Sequence, residues 1–161
     1  MVAYSTDTLT PLDTWLAMLN VVLDTNVVLD WLLFADPALN PLPERIAAGQ
    51  VRVWTHPRAV EELRRVLGYP RLEVDAARQA EVLDSYRVRT SLVLAPDGNL
   101  PKGFPRCRDA DDDHFLQLAY RCKADALVSK DRAVLRLARR SAAFGVTILT
   151  VGELVARIQQ K

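Results

Sequence analysis

Short apolar runs alternate along the chain with amphipathic stretches of helical period. Strand-like segments lie at 21–23, 51–55, 92–94, 126–129 and 146–149. Apolar residues spaced by three and four predict helices over 27–34, 43–48, 57–67, 75–90, 131–140 and 151–159, and one that runs from the acidic stretch 109–113 to residue 122. Strands that alternate with helices are typical of a three-layer α/β domain, in which helices flank a mostly parallel sheet.

The residues before the first predicted strand form a separate polar lead. Within residues 1–20, Leu12, Trp15, Leu16 and Leu19 form one short amphipathic group, which predicts a short helix packed on the domain. No linker or internal repeat divides residues 21–161. A chain of 161 residues buries roughly 68–70% of its unfolded surface, so we expect a single domain with its own core.

Composition excludes several classes of protein. The 21 Lys and Arg residues nearly balance the 20 Asp and Glu residues, so any attraction of nucleic acid must be local. The two cysteines form no disulfide framework, and no Cys or His spacing resembles a zinc site. No apolar run reaches the roughly 18 residues of a membrane span, and the N-terminus lacks a basic signal-peptide start. We therefore expect a soluble, cytoplasmic protein.

Two acidic residues follow predicted strands directly. Asp24 ends the run 21–23, and Asp131 comes two residues after the run 127–129. In parallel α/β sheets, ligands bind beyond the carboxyl ends of the strands, so both positions are candidate site residues. Taken singly, each is better explained as a helix N-cap, the commoner role of a lone Asp at a strand-to-helix turn; it is the two together that favour a site.

Helical geometry adds Glu62 as a third candidate. At about 100° per residue, Glu62 lies on the border of the apolar stripe in helix 57–67, whereas Glu61 points to water. The alternative is an exposed flank residue that pairs with Arg58 or Arg65.

Asp112 is the fourth candidate. It lies about 20° from the centre of the inward face of the next helix, while Asp111 and Asp113 diverge by roughly 80° and 120°. Complementing the helix dipole accounts for Asp111 and Asp113, but not for an inward-facing acid.

Four carboxylates at one sheet edge repel each other and destabilise the fold unless a cation offsets their charge. Mg²⁺ and Mn²⁺ prefer carboxylate and water oxygens, and the sequence has no thiolate or imidazole cluster for zinc. Such an ion activates water and stabilises the charge that develops as a phosphodiester breaks. Metal-dependent hydrolysis of nucleic acid is the resulting hypothesis.

Four segments in order carry a family resemblance. They are Val22-Leu23-Asp24-Thr25-Asn26-Val27, Glu62-Leu63-Arg64-Arg65-Val66-Leu67, Arg108-Asp109-Ala110-Asp111-Asp112 with Leu116 and Ala119, and Leu127-Val128-Ser129-Lys130-Asp131. Together they resemble the ordered motifs of PIN-domain ribonucleases over about residues 21–155, closest in style to bacterial VapC-related toxins of toxin–antitoxin pairs. The resemblance implies a PIN-like, Rossmann-like fold and Mg²⁺- or Mn²⁺-dependent RNA cleavage by metal-activated water.

Carried across by position, the acidic quartet of the family falls on Asp24, Glu62, Asp112 and Asp131. Asn26 resembles the Asn that orients the first acid, and Ser129 takes the place of the Ser or Thr near the fourth. Where many relatives have a further acid two residues after the fourth, this chain has Ala133, so we expect one tightly held ion. The resemblance also implies RNA as substrate, a small antitoxin as partner and a homodimer.

Cationic and aromatic residues near the acids are candidates for RNA contacts. The cationic candidates at the rim are Lys102, Arg106, Arg108, Lys130 and Arg132, for which solvated surface is an equal alternative. Phe104, between Gly103 and Pro105, is the aromatic residue expected to be exposed for base stacking, whereas Trp31 and Trp54 are expected in the core. We expect surface or capping roles for His56 and His114.

Two other functions fit parts of the sequence. A phosphatase of the haloacid dehalogenase type places a nucleophilic Asp after the first strand, but it needs a second Asp where Asn26 stands. A catalytically degenerate PIN fold that binds RNA or protein is the non-enzymatic alternative. RNA cleavage that depends on Mn²⁺ and is lost in Asp24→Asn would exclude this non-enzymatic alternative.

Overall fold

The computed structural model describes residues 18–94 and 98–160, and within them a five-stranded, all-parallel sheet is flanked by helices. The predicted α/β fold class is confirmed. The strands are β1 (Leu19–Leu23), β2 (Val51–Thr55), β3 (Ser91–Leu92), β4 (Ala126–Val128) and β5 (Ile148–Leu149), in the spatial order β3-β2-β1-β4-β5.

The helices cover both faces of this sheet. They are α1 (Thr25–Leu32), α2 (Pro41–Ala47), α3 (Pro57–Leu67), α4 (Ala76–Arg89), α5 (Asp113–Arg121), α6 (Arg132–Leu135), α7 (Ala138–Ala142) and α8 (Val151–Gln159), with short 3₁₀ turns at Pro37–Leu39, Pro70–Leu72 and Ala110–Asp112. Among the described helices, none is long and apolar enough to span a membrane.

Strand β1 is the centre of the core because it pairs on both sides, with β2 and with β4. Successive side chains of a strand point to opposite faces of the sheet. Val21 and Leu23 accordingly belong to one buried apolar cluster, and Val22 belongs to the other. The two clusters are the two interfaces of a three-layer domain.

The order of the strands reverses beside β1. From β1 the chain builds outward through β2 and β3, and it then returns to add β4 and β5 on the other side. The carboxyl ends of β1 and β4 are neighbours, since Leu23 pairs with Val128. Such a reversal opens the crevice in which α/β proteins bind ligands.

Three details differ from the sequence-based expectation or lie beyond it. Strand β1 begins at Leu19 rather than residue 21, because the N–H of Leu19 already donates to Gln50 O (2.9 Å). The helix expected over 131–140 divides into α6 and α7, where the N–H of Leu137 bonds three residues back to Val134 O (2.9 Å) and tightens the turn. The amphipathic group of the N-terminal lead lies mostly outside the described residues.

Candidate active site

Asp24 lies at the carboxyl end of β1 and is the N-cap of α1. Its Oδ1 accepts the N–H of Val27 (2.9 Å), as expected of a capping Asp. Its Oδ2 accepts the hydroxyl of the fully buried Ser129. Burial raises the pKa of Asp24, although the hydrogen bonds from Ser129 and from backbone N–H groups oppose that rise. The capping role and a site role therefore coexist in one side chain.

Ser129 and Asp131 follow β4 and complete this edge of the sheet. Ser129 Oγ also accepts the N–H of Asp131 (3.1 Å), so one hydroxyl ties the loops after β1 and β4 together. Asp131 caps α6 through the N–H of Ala133 (2.7 Å). Asn26 is exposed and lines a cavity together with Asp131. Among the described residues, the side chain that bonds Asp24 is that of Ser129.

Glu62 reaches the same edge from α3. Its Oε1 accepts the hydroxyl of Thr25 (2.7 Å), and its Oε2 accepts Nε2 of His114 (2.6 Å). Burial raises the pKa of Glu62, but these two hydrogen bonds, together with the charges of His114 and Arg65, outweigh burial and the pKa is lowered. Glu62 is not an exposed flank residue, because its side chain is only 16% exposed and is bonded to Thr25 and His114, while Arg58 pairs with Asp111 (3.7 Å).

Two buried histidines stand behind Glu62. Nε2 of His56 lies 3.1 Å from Nδ1 of His114, and the two rings meet edge to face with centroids 5.0 Å apart. Burial, followed by the neighbouring charges of His114 and Arg58, lowers the pKa of His56 to about 4. The expectation of surface or capping roles is wrong: both rings are buried, and His56 at the N-cap of α3 makes no side-chain capping bond.

Asp112 occupies the last position of the 3₁₀ turn before α5. Burial, and then the charges of Asp109, Asp131, Glu62 and Asp24, raise its pKa to about 6. Within the described residues no hydrogen bond to its carboxylate is formed. Asp112 thus has the fewest compensating contacts of the four predicted acids, and the negative charges of the other three contribute to its raised pKa.

The four acids therefore share one electrostatic region, although they do not form a closed cage. In the described parts of the chain, no group of three or more His, Cys, Asp and Glu side chains converges as a metal site. The donor set nevertheless fits a hard cation, since all four members are carboxylates and the charges of the other three favour a proton on Asp112. A divalent ion bound there would offset the same charges more strongly than a proton.

Asp113 and Phe104 have roles that differ from the expected ones. Asp113 is buried, and its Oδ1 accepts the N–H of Cys107 (2.5 Å), so it anchors the preceding loop instead of facing solvent. Phe104 is buried as well, with its ring centroid 5.1 Å from that of Tyr120 and 5.4 Å from that of Phe144. The prediction that Phe104 is exposed for base stacking is wrong.

Trp31 and Trp54 were expected in the core. Trp31 is buried. Trp54 is half-buried, and its Nε1 donates to Asn20 Oδ1 (3.2 Å).

Cationic side chains flank the acids on two sides. The predicted rim residues are all exposed, namely Lys102, Arg106, Arg108, Lys130 and Arg132, and of these Lys130 lines a cavity together with Asp131. A second cavity of about 260 Å³ brings Arg58 and Arg65 beside Glu62. The sequence indicates both arginines only as possible ion-pair partners of Glu62, because their position beside this cavity arises through the fold.

Asp112→Asn is expected to raise the melting temperature in metal-free buffer at pH 8 by about 2–4 °C, which corresponds to about 1 kcal/mol. The pKa of Asp112 in the folded state is about 6, against an ordinary value of 3.8. Its charge therefore costs stability above pH 6, and the cost fades as the pH falls from about 6 to about 4. The gain should accordingly shrink at pH 4.5, as thermal unfolding at both pH values will measure.

The exposed Asp111, one position earlier, provides the matched control for this measurement. Its variant Asp111→Asn loses an ion pair with Arg58 at the surface and should show no pH-dependent gain. Equal gains in both variants would mean that the repulsion does not centre on Asp112.

A family model described as PIN domain matches residues 20–133, which is more than two thirds of the chain. The matched range contains all four acids, Ser129 and the histidine pair. No curated protein shows a significant match to the chain.

Proposed function

Because the chain belongs to the PIN-domain family, whose members are generally nucleases that use divalent metals, we propose that it is an endoribonuclease dependent on Mg²⁺ or Mn²⁺. The observation that carries the proposal is the set of carboxylates at the reversal point of the sheet, Asp24, Glu62, Asp112 and Asp131, with the pKa of Asp112 raised partly by the charges of the others.

The four acids would have different roles, which follow from their contacts. Asp112 and Asp131 would hold the ion most directly, because Asp112 accepts no hydrogen bond within the described residues and Asp131 commits only Oδ1 to its cap. Asp24 and Glu62 add charge while Ser129, Thr25 and His114 hold them in place. When bound, the ion supplies an activated water and stabilises negative charge on the phosphate. Arg58, Arg65 and Lys130 would guide the RNA backbone to the acids.

We further propose that the protein is the toxin of a toxin–antitoxin pair that acts on RNA in the cytoplasm. The support for this role is the resemblance of its motifs to VapC-related proteins, which also leads us to expect a homodimer and a small antitoxin that covers the acids. Co-expression with the protein encoded by the neighbouring reading frame tests the pair: it should relieve growth arrest caused by the wild-type chain.

Single-stranded RNA incubated with the purified protein tests the nuclease proposal. Cleavage should require Mg²⁺ or Mn²⁺ and stop with EDTA, and the products should carry 5′-phosphate and 3′-hydroxyl ends. These ends matter because attack by water leaves the 2′-hydroxyl unused, whereas contaminating metal-independent ribonucleases leave cyclic phosphates. RNA that is bound but never cut in either metal would favour the degenerate, binding-only alternative.

Mn²⁺ is expected to stabilise the protein independently of any RNA. Free ion at a hundred times its dissociation constant adds about 2.7 kcal/mol to a protein that binds it only when folded. For a chain of this size we expect a rise in melting temperature of about 5–10 °C. Asp112→Asn should lose most of that rise, and Asp111→Asn should keep it. A melting temperature that does not respond to Mn²⁺ or Mg²⁺ would argue against a metal site.

A further inference from the structure

Phe34 is the one aromatic residue among the large hydrophobic side chains that are strongly exposed in the described residues, with 56% of its surface accessible. It follows Leu33, the C-cap residue of α1. The backbone there is fixed by two bonds, from Phe34 N–H to Leu29 O (2.9 Å) and from Asp36 N–H to Asp30 O (2.8 Å). The backbone that carries the ring is therefore fixed, and the ring presents apolar surface to solvent.

The ring lines a cavity of about 340 Å³ that opens beside the acids. The cavity is lined by Asn26, Leu29, Asp30, Phe34, Lys130 and Asp131. Asp131 belongs to the proposed metal ligands, and Asn26 is two residues from Asp24. A molecule in this cavity would therefore lie next to the reacting phosphate.

Polar groups surround the ring on the side of the acids. Nζ of Lys130 donates to Oδ2 of Asp30 (2.5 Å), and half of the Lys130 side chain remains exposed whereas Asp30 is 13% exposed. An ammonium has three donors, so Lys130 keeps donors for a phosphate while Asp30 fixes its direction. The exposed amide of Asn26 offers both a donor and an acceptor.

One aromatic face beside a fixed cation and an amide is the chemistry that binds an unpaired nucleotide. A protein partner would instead require a broad apolar surface around Phe34, and the described residues beside Phe34 do not provide one. The other strongly exposed apolar side chains lie elsewhere, at the end of α4 and around the edge strand β3: Val88, Leu92 and Leu94.

We propose that this cavity binds the base of a nucleotide next to the phosphate that is cut, with the base stacked on Phe34 and its phosphate near Lys130. The inference rests on the proposed ribonuclease function and specifies its substrate as single-stranded RNA. A base-paired nucleotide keeps both faces stacked in the duplex and does not reach the ring.

Binding of a fluorescently labelled single-stranded RNA decamer tests the cavity separately from cleavage. Fluorescence anisotropy is measured with Mn²⁺ on the Asp24→Asn background, in which cleavage is not expected. Adding Phe34→Ala should weaken binding by about 10-fold or more, the usual effect of losing one stacked base. Phe34→Trp should restore the affinity. Leu94→Ala, which also truncates a strongly exposed apolar side chain, should leave it unchanged. Because Phe34 is exposed, the melting temperature should hardly change.

Cleavage kinetics with the otherwise wild-type chain provide the second measurement. Phe34→Ala should raise KM for single-stranded RNA more than it lowers kcat. Unchanged RNA affinity and KM would overturn the inference while leaving the nuclease proposal intact. Conversely, RNA affinity that depends on Phe34 in a chain that never cuts RNA would support the cavity and refute the nuclease. If Phe34→Ala alters only the monomer–dimer equilibrium in sedimentation, the ring is a subunit contact and the inference is wrong.

Discussion

Asp24→Asn is expected to reduce Mn²⁺-dependent RNA cleavage by on the order of a thousandfold, the largest effect of any single substitution in the proposed site. The amide keeps the size of the side chain and can still accept the N–H of Val27 through its oxygen, so α1 should remain capped. What is lost is a negative charge at the carboxyl end of β1, together with the charge-assisted bond from Ser129.

Asp75→Asn is the matched control for this substitution. Asp75 is also the N-cap of a helix, α4, and accepts the N–H of Arg78 (2.8 Å), but it is exposed and belongs to neither cavity beside the acids. The control should cleave RNA at the wild-type rate. Initial rates with a saturating labelled RNA and melting temperatures of both variants are the measurements. Wild-type cleavage by Asp24→Asn would refute the assignment of Asp24 to the reaction.

His114→Ala is expected to lower both stability and activity. It removes the donor to Oε2 of Glu62 and leaves Nε2 of His56 facing an empty space. Each buried polar group without a partner costs about 1–3 kcal/mol, so a loss of about 3 kcal/mol and a fall in melting temperature of about 6–12 °C are reasonable. Losing a group that orients a metal ligand typically lowers activity by about 10–100-fold.

His114→Gln separates the effect of the hydrogen bond to Glu62 from the effect of the volume of the imidazole ring. A glutamine can donate an N–H to Glu62 in place of the imidazole, so it should recover part of the activity even if it repacks poorly against His56. The measurements are kcat at saturating Mn²⁺ and the melting temperature of each variant. If His114→Ala is as active as the wild type, Glu62 does not depend on this bond for its position.

The fold could be predicted because its causes are local. Apolar runs of period two and amphipathic runs of helical period fix the strands and helices, and the parallel connections bring strand ends to one edge. For that reason Asp24 and Asp131 could be assigned to a common edge from sequence spacing alone. The pairing of β1 with β4 then places the ends of these two strands next to each other.

The contacts inside the site were beyond sequence reasoning, since they join residues far apart in the chain. The helical wheel did not indicate the burial of Asp113, because that burial comes from the preceding loop, where the N–H of Cys107 donates to its carboxylate. His56 and His114 are 58 residues apart, and nothing local in the sequence indicates that their rings meet. Phe34 was overlooked because its exposure is a property of the finished surface.

Strand β4 pairs with β1 although it is translated after β2 and β3, and this order has a consequence for the synthesis of the protein. Asp24 is synthesised 105 residues before Ser129, whose hydroxyl binds its carboxylate, and Asp131 follows Ser129. A nascent chain therefore carries an incomplete set of acids until β4 has left the ribosome and inserted next to the first strand. If the chain is a ribonuclease, this order of synthesis delays cleavage near the ribosome, because the acidic set is complete only after β4 and Asp131 have been translated.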